Sequence, residues 1–220
     1  ARLESIGFVP VVQLPSAELA VPLADALVAA GLPCIEVAFR AAGAAAAILA
    51  IRAARPDVLV GAGTVLTRDQ AAEALDAGAQ FVVSPGTNFT VVDYVIGRGT
   101  PMIPGVATPS EIEAALTRGL RTVKLFPSEP LGGISFLGAV HGPYPSVRFV
   151  PTGGISLLNL AAYLALPNVL ACGGTWIAPV KLLDAGDFET IGRTASATVA
   201  IVRQVRPFAS NRPDDGVPNR

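Results

Sequence analysis

Lysine is scarce in this chain, two residues against fourteen arginines, and one of the two sits where a cation is expensive to place. Lys124 lies inside Arg121-Thr-Val-Lys-Leu-Phe-Pro127, an apolar run that reads as a buried strand closed by proline. Arginine stays protonated and cannot form an imine, whereas a lysine withdrawn from water can add to a carbonyl carbon. Lys124 is therefore either a Schiff-base nucleophile or a structural cation reaching the mouth of a fold. A carboxylate candidate comes from Cys34-Ile-Glu-Val-Ala-Phe39 and the Arg40 that follows. Alternation places Glu36, Ala38 and Arg40 on one face and Ile35, Val37 and Phe39 on the other. The large apolar set belongs against helices, so Glu36 points to the interior, with Arg40 about 13 Å further along. An interior carboxylate needs a partner. Either it fills the interior as one half of an ion pair, or it moves protons beside the amine, as an imine mechanism requires.

Other chemistry-bearing residues stand at the ends of apolar runs. One run ends in Pro151-Thr152-Gly153-Gly154 and another in Gly173-Gly174-Thr175. Paired glycines make tight turns and also let backbone N–H groups approach an anion closely, and this pattern in two places points to phosphate. Thr64, after Gly61-Ala-Gly63, and Ser84-Pro85-Gly86 close two further runs. Arg40 with Thr64 could hold a substrate carboxylate, since a guanidinium forks onto one in bidentate fashion.

The elements that position these groups repeat one unit. Apolar runs at Phe8–Leu14, Cys34–Phe39, Val58–Gly63, Phe81–Ser84, Met102–Val106, Thr122–Phe126, Arg148–Pro151 and Val169–Gly173 alternate with Ala-rich helical segments. Ser16, Thr67 and Thr108 open helices, and Gly31, Gly78 and Gly119 close them. Near-continuous apolar strands alternating with helices imply a covered parallel sheet. Eight units in 220 residues favour closure into an α/β (β/α)8 TIM barrel, a single domain over residues 1–209, with active groups at the carboxyl ends of the strands. The second and sixth strands then face each other across the axis, and Glu36 and Lys124 can meet there, directly or through a water. Gly61-Ala-Gly63 begins a dinucleotide fingerprint, but Leu66 stands where the third glycine belongs, which argues against an open nucleotide-binding sheet. Ser210–Arg220 lacks periodicity and reads as a disordered tail.

Composition narrows the classes further. Net charge is −1 with no basic stripe, so no nucleic-acid partner is expected. Hydrophobic residues make up 51%, yet no uninterrupted apolar run is long enough to span a bilayer, so no membrane partner is expected either. Cys34 and Cys172 lie in separate strand-like runs, which fits buried free thiols and a cytoplasmic setting. The N-terminal residues show no signal-peptide pattern. His141, the only histidine, precedes Gly-Pro and reads as a loop residue; a histidine-based zinc site or serine triad has no material here, and no metal site is expected.

From Val9 to Pro179 the chain resembles the 2-keto-3-deoxy-6-phosphogluconate (KDPG) and 4-hydroxy-2-oxoglutarate (KHG) aldolases, class I aldolases of the Entner–Doudoroff route. The resemblance rests on Glu36-Val-Ala-Phe-Arg40, Gly61-Ala-Gly-Thr-Val-Leu66, Val83-Ser-Pro-Gly86, Pro104-Gly-Val106, Val123-Lys-Leu-Phe-Pro-Ser-Glu129, Arg148-Phe-Val-Pro-Thr-Gly-Gly-Ile155 and Cys172-Gly-Gly-Thr-Trp176, in this order. It implies that Lys124 is the Schiff-base lysine and Glu36 the general acid/base. It also implies that Arg40 and Thr64 hold the pyruvate carboxylate, and that Gly153, Gly154, Gly174 and Thr175 bind phosphate. Pro85, Phe126 and Thr152 would line the pocket. A homotrimer with no metal and no cofactor beyond the covalent imine is implied as well. The chain departs from the common family pattern in having alanine after Arg40 and leucine after Lys124, which bears on substrate fine-tuning and not on the chemistry, and threonine for serine at 175, which keeps the hydroxyl.

The expected reaction is reversible cleavage of the phosphorylated keto acid to pyruvate and glyceraldehyde 3-phosphate, with cleavage of 4-hydroxy-2-oxoglutarate to pyruvate and glyoxylate as a second activity. Two alternatives remain on sequence grounds: a phosphate-binding barrel isomerase in which Lys124 only neutralises charge, and a catalytically silent barrel used as a scaffold.

Overall fold

The computed structural model describes residues 2–207. A short helix, α1 (Arg2–Ile6), precedes β1 (Phe8–Val12). Then come α2 (Ala20–Ala29), β2 (Cys34–Ala38), α3 (Ala44–Ala54), β3 (Leu59–Gly63), α4 (Arg68–Asp76), β4 (Phe81–Val83) and α5 (Phe89–Gly97). The second half holds β5 (Met102–Ile103), β6 (Gly105–Val106), α6 (Pro109–Leu116), β7 (Thr122–Leu125), α7 (Gly133–His141), β8 (Arg148–Phe149), α8 (Leu160–Leu164), β9 (Cys172–Gly174), α9 (Val180–Asp184) and α10 (Phe188–Val205).

Helix starts follow local hydrogen-bonding chemistry. Thr67 and Gln70 form a reciprocal capping box on α4, and the Thr108 side chain accepts from Glu111 N–H with Pro109 in the first turn of α6. Ser16 caps a single 3₁₀ turn, Ala17–Leu19, and α2 follows directly. Leu23, Ala24 and Leu27 form its buried stripe.

Every strand pairing is parallel. One sheet runs β5-β4-β3-β2-β1-β9 and the other β6-β7-β8. The two join at Pro104, which separates β5 from β6. Proline has no N–H to give the ladder, but its carbonyl still accepts from Lys124 N–H at 2.8 Å. The Met102–Val106 run is thus one stave made of two short strands rather than one continuous strand. The opposite seam closes through parallel bridges Phe149↔Val169 and Thr152↔Gly173. The result is a closed eight-stave (β/α)8 barrel. The eighth strand is later and shorter than its apolar run, because only Val169 of the early part bridges to Phe149. His141 is the last residue of α7, where helix geometry continues up to the Gly-Pro that stops it, and not a loop residue. Residues 210–220, read above as a tail, lie outside the described residues.

Two apolar layers hold the barrel. Ile35, Val37, Val123 and Leu125 point outward into the large cluster between sheet and helices. Each such side chain, fully removed from water, contributes roughly 1.5–3 kcal/mol. Inside, Val9, Cys34, Phe81, Val83, Ile103 and Val150 pack together, and Leu3 and Ile6 of α1 close the amino-terminal end beneath them. A cavity of about 370 Å³ remains at this amino-terminal end, lined by Leu3, Phe81, Ile103 and Leu170 among others.

Candidate active site

Strand periodicity brings Lys124 and Glu36 together. Val123 and Leu125 face the helices, so Lys124 between them faces the axis; Ile35 and Val37 do the same for Glu36. Lys124 Nζ stands 3.4 Å from Glu36 Oε1, with the two side chains only 7% and 4% exposed. A charge-assisted contact of ordinary strength spans about 2.7–2.9 Å, so this pair is loosely held. Taking two charges out of water costs several kcal/mol per ion, and a long contact recovers that poorly. Packing alone does not account for the pair. Phe126, one turn of the pleat further on, presents its ring with the centroid 5.4 Å from Lys124 Nζ, a cation–π approach from the mouth side.

Gly63 makes room for the carboxylate. A Cβ at this position would lie 2.1 Å from Glu36 Oε1. The parallel register pairs Glu36 with Gly61 and Ala38 with Gly63, so the Glu36 side chain leans across the glycine strand toward the axis. Gly105 plays the corresponding part beside Lys124, its register partner: a Cβ there would strike Pro85 O at 2.0 Å. The loop after β4 therefore folds over Gly105, with Ser84 Oγ donating to Gly86 O at 2.6 Å and Thr87 Oγ1 to Gly105 O at 2.8 Å, and it carries Pro85 to the rim. Neither Gly63 nor Gly105 was singled out as a site residue above. The available signal was glycine at inward-facing positions of two strands, which is visible only once the faces are assigned.

At the end of β2 the chain turns, and Arg40, exposed, donates from Nε to Thr64 Oγ1 at 3.2 Å. Thr64 has φ +57, the sole non-glycine residue with positive φ among the described residues. A β-branched residue in the left-handed region is strained by about 1–3 kcal/mol. Such strain persists where a site needs that side chain in that place.

Gly153 (φ +97) and Gly154 (φ +84) turn the chain after Thr152, which is buried. The neighbours of the glycines explain much of their identity. A Cβ at Gly154 would meet Glu129 Cγ at 2.4 Å, one at Gly173 would meet Thr152 Oγ1 at 2.4 Å, and one at Gly174 would enter the Trp176 ring at 1.8 Å. Gly174 turns its Cβ direction outward to Trp176, so only its backbone can serve a ligand. Thr175 follows and is exposed. Among the described residues no three His, Cys, Asp or Glu side chains are grouped as a metal would require. No described helix is long and apolar enough to cross a membrane.

A closed parallel barrel holds a loosely paired amine and carboxylate on its axis beneath a glycine-rich rim, an arrangement that suits imine chemistry of the class I aldolase type. The model of the KDPG and KHG aldolases matches residues 1–194, and the chain belongs to that family. It is 54% identical over 200 residues to the 2-dehydro-3-deoxy-phosphogluconate aldolase of Treponema pallidum, covering 91% of this chain and 95% of that one. Its fold matches the crystal structure of a KDPG aldolase from Legionella pneumophila, in which pyruvate was captured at low pH as a covalent carbinolamine (TM-score 0.86, 38% identity, 89% and 95% of the two chains). It equally matches the 2-keto-3-deoxy-6-phosphogluconate aldolase of Zymomonas mobilis with 3-phosphoglycerate (TM-score 0.85, 34% identity, 93% and 96%).

Proposed function

We propose that this chain cleaves 2-keto-3-deoxy-6-phosphogluconate reversibly to pyruvate and glyceraldehyde 3-phosphate through an imine on Lys124. The observation that carries the proposal is the buried Lys124 Nζ, 3.4 Å from Glu36 Oε1, in a chain of this family. The relatives that carry a covalent pyruvate adduct and a three-carbon phosphate support it.

The proposed steps are those of an imine-forming aldolase, with Lys124 and Glu36 in the reacting roles. Lys124 passes a proton to Glu36, and its lone pair adds to the C2 ketone of the substrate. Glu36 returns a proton to the carbinolamine oxygen, water leaves, and a protonated imine remains. Glu36 then takes the C4 hydroxyl proton, the C3–C4 electron pair moves onto the imine as an enamine, and glyceraldehyde 3-phosphate departs. The positive imine is the electron sink, so the bond breaks with no call on a metal. Protonation at C3 and hydrolysis release pyruvate and regenerate the amine. Arg40, held to Thr64, receives the C1 carboxylate. Backbone groups of Gly153, Gly154 and Gly174 with Thr175 receive the phosphate, while Pro85, Phe126 and Thr152 line the space between. Cleavage of 4-hydroxy-2-oxoglutarate to pyruvate and glyoxylate uses the same steps with a shorter far end. The reading extends to the homotrimer, the cytoplasmic setting and the Entner–Doudoroff role that the resemblance implies.

The test is borohydride reduction in the presence of pyruvate, followed by intact mass and peptide mapping. The expected result is one pyruvate-derived adduct on Lys124, with Lys124→Arg folded, unlabelled and inactive. An adduct on another residue, or turnover in the arginine variant, overturns the assignment; no adduct at all favours a silent scaffold.

A further inference from the structure

The segment Pro127-Ser128-Glu129 follows the catalytic strand, yet the reaction as written uses none of its side chains. Its backbone pairs with the turn at the end of β8: Ser128 N–H donates to Thr152 O at 2.8 Å and Glu129 N–H to Gly153 O at 3.0 Å. The side chains then reach the other way. Glu129 is exposed at the surface but turns Oε1 inward to accept from the hydroxyl of Tyr163 on α8, a residue with no exposed surface. Ser128, also fully buried, lies with Oγ 3.2 Å from the same tyrosine oxygen. A carboxylate only accepts, so the tyrosine proton is committed to Glu129 and the Ser128 hydroxyl donates to the tyrosine.

Glycines make space around this chain of hydrogen bonds. A Cβ at Gly133 would lie 2.4 Å from the Tyr163 oxygen and 2.8 Å from Glu129 Oε1, and one at Gly154 would lie 2.4 Å from Glu129 Cγ. Asn159 Nδ2 donates to Gly154 O at 3.1 Å, holding the far side of the same turn. If Tyr163 served packing alone, phenylalanine would fill the site without burying a hydroxyl that has to be satisfied.

We propose that Glu129 and Tyr163 form a brace that fixes the Gly153–Gly154 turn, making both positioning residues for the phosphate end of the substrate. This rests on the assignment of that turn to phosphate under the proposed function. The side-chain partners of the brace are one another and those of the reacting pair are Glu36, Lys124 and Phe126, so the brace governs the phosphate end and leaves the imine chemistry alone.

The experiment compares a phosphorylated and an unphosphorylated substrate, 2-keto-3-deoxy-6-phosphogluconate and 4-hydroxy-2-oxoglutarate, in Tyr163→Phe, Glu129→Ala and Glu129→Gln. Tyr163→Phe and Glu129→Ala are expected to raise KM for the phosphorylated substrate about tenfold, the scale of one lost hydrogen bond, with kcat within about twofold. KM for the unphosphorylated substrate stays within about twofold. Glu129→Gln keeps the acceptor oxygen and restores wild-type behaviour. Equal losses on both substrates, or no change on either, overturn the brace. If Tyr163→Phe does not fold, the surface pair Glu129→Ala and Glu129→Gln decides by the same criteria. A wild-type enzyme that shows no KM advantage for the phosphorylated substrate refutes the phosphate reading itself, and the brace with it.

Discussion

Gly63→Ala should disable catalysis without replacing a reacting group. Gly63 lies in an extended strand, outside the left-handed region, so alanine fits its backbone. On backbone grounds alone the change should stabilise the protein by about 0.4–1 kcal/mol through the unfolded chain. Space is the obstacle. The new methyl would sit 2.1 Å from Glu36 Oε1, 2.6 Å from Cγ and 2.7 Å from Cδ, against 3.4 Å for an ordinary contact. The carboxylate must therefore retreat by 3.4 − 2.1, or about 1.3 Å. It begins 3.4 Å from Lys124 Nζ, already loose, so a shift of that size takes it out of register with the amine.

A misplacement near 1 Å in a catalytic group reduces rate on the order of 10²-fold. Overpacking costs about 1–3 kcal/mol, and after the backbone gain a net loss of at most about 2.6 kcal/mol remains. In a chain of this length that lowers Tm by only a few degrees, so the enzyme stays folded at assay temperature. The assay is pyruvate release coupled to NADH oxidation by lactate dehydrogenase, beside borohydride trapping with pyruvate. We expect kcat to fall about a hundredfold while the trapped adduct still forms on Lys124, more slowly. A variant with kcat within about threefold of wild type and an unchanged or raised Tm would falsify the placement of the Glu36 carboxylate against Gly63.

Thr64→Gly should separate stability from function: it relieves a strained left-handed threonine, raising stability by about 1 kcal/mol in urea titration, yet it removes the hydroxyl beside Arg40 and raises KM for the keto acid. A stability loss together with an unchanged KM would contradict that account. Burial pushes the Cys172 thiol up to about 12 and the Cys34 thiol higher still, with the Glu36 charge adding to the latter. At pH 8 a thiol titrating near 12 is thiolate in a fraction on the order of 10⁻⁴, so Ellman's reagent should find neither cysteine in the folded enzyme and both in denaturant; stoichiometric labelling of the native protein would refute this. The Glu4 carboxyl is raised by partial burial, but the hydrogen bond and charge of Arg148 outweigh this and hold it below the ordinary 4.5. A depressed carboxylate stabilises the fold above its unfolded pKa and loses that contribution as pH falls through its folded value. Glu4→Gln should therefore lower stability at pH 7 and converge on wild type in strong acid, and a difference that persists undiminished at low pH would count against the pair.

The parts of this design that depend on side-chain type and period were legible in the sequence. Alternation through residues 34–40 and 122–126 assigns Glu36 and Lys124 to one side because the flanking valines, isoleucine and leucine can only go to the other. What depends on register or backbone angle was not. Gly61-Ala-Gly63 resembles a broken nucleotide fingerprint, and its real office, room for the Phe81 ring at Gly61 and for the Glu36 carboxylate at Gly63, emerges only when the strands are aligned residue by residue. The left-handed φ of Thr64 has no sequence signature, since threonine is the last residue expected there. Glycine pairs announce absent side chains without saying what fills the space. At 154 and 174 a glutamate and a tryptophan fill it, so the pattern that suggested phosphate would have been required by packing in any case. Pro104 hid the same kind of ambiguity: it breaks a strand in hydrogen bonding while leaving the stave continuous.

The barrel assigns stability and chemistry to different levels of its interior. From the amino-terminal end, Phe81, Val83, Ile103 and Val150 pack against Leu3 and Ile6 in a layer whose energetics are those of any core. Above it come a buried ion pair that is long for its charge, a strained threonine, and glycines that yield their space to neighbours. Each of these is neutral or unfavourable for folding, and each lies within reach of the strand ends where a substrate enters. A sequence drifting toward stability alone would shorten or replace the Lys124–Glu36 pair and relax Thr64. That the upper level keeps these features while the lower level and the outer helix-facing layer carry the fold is the physical reason to place the reacting centre there.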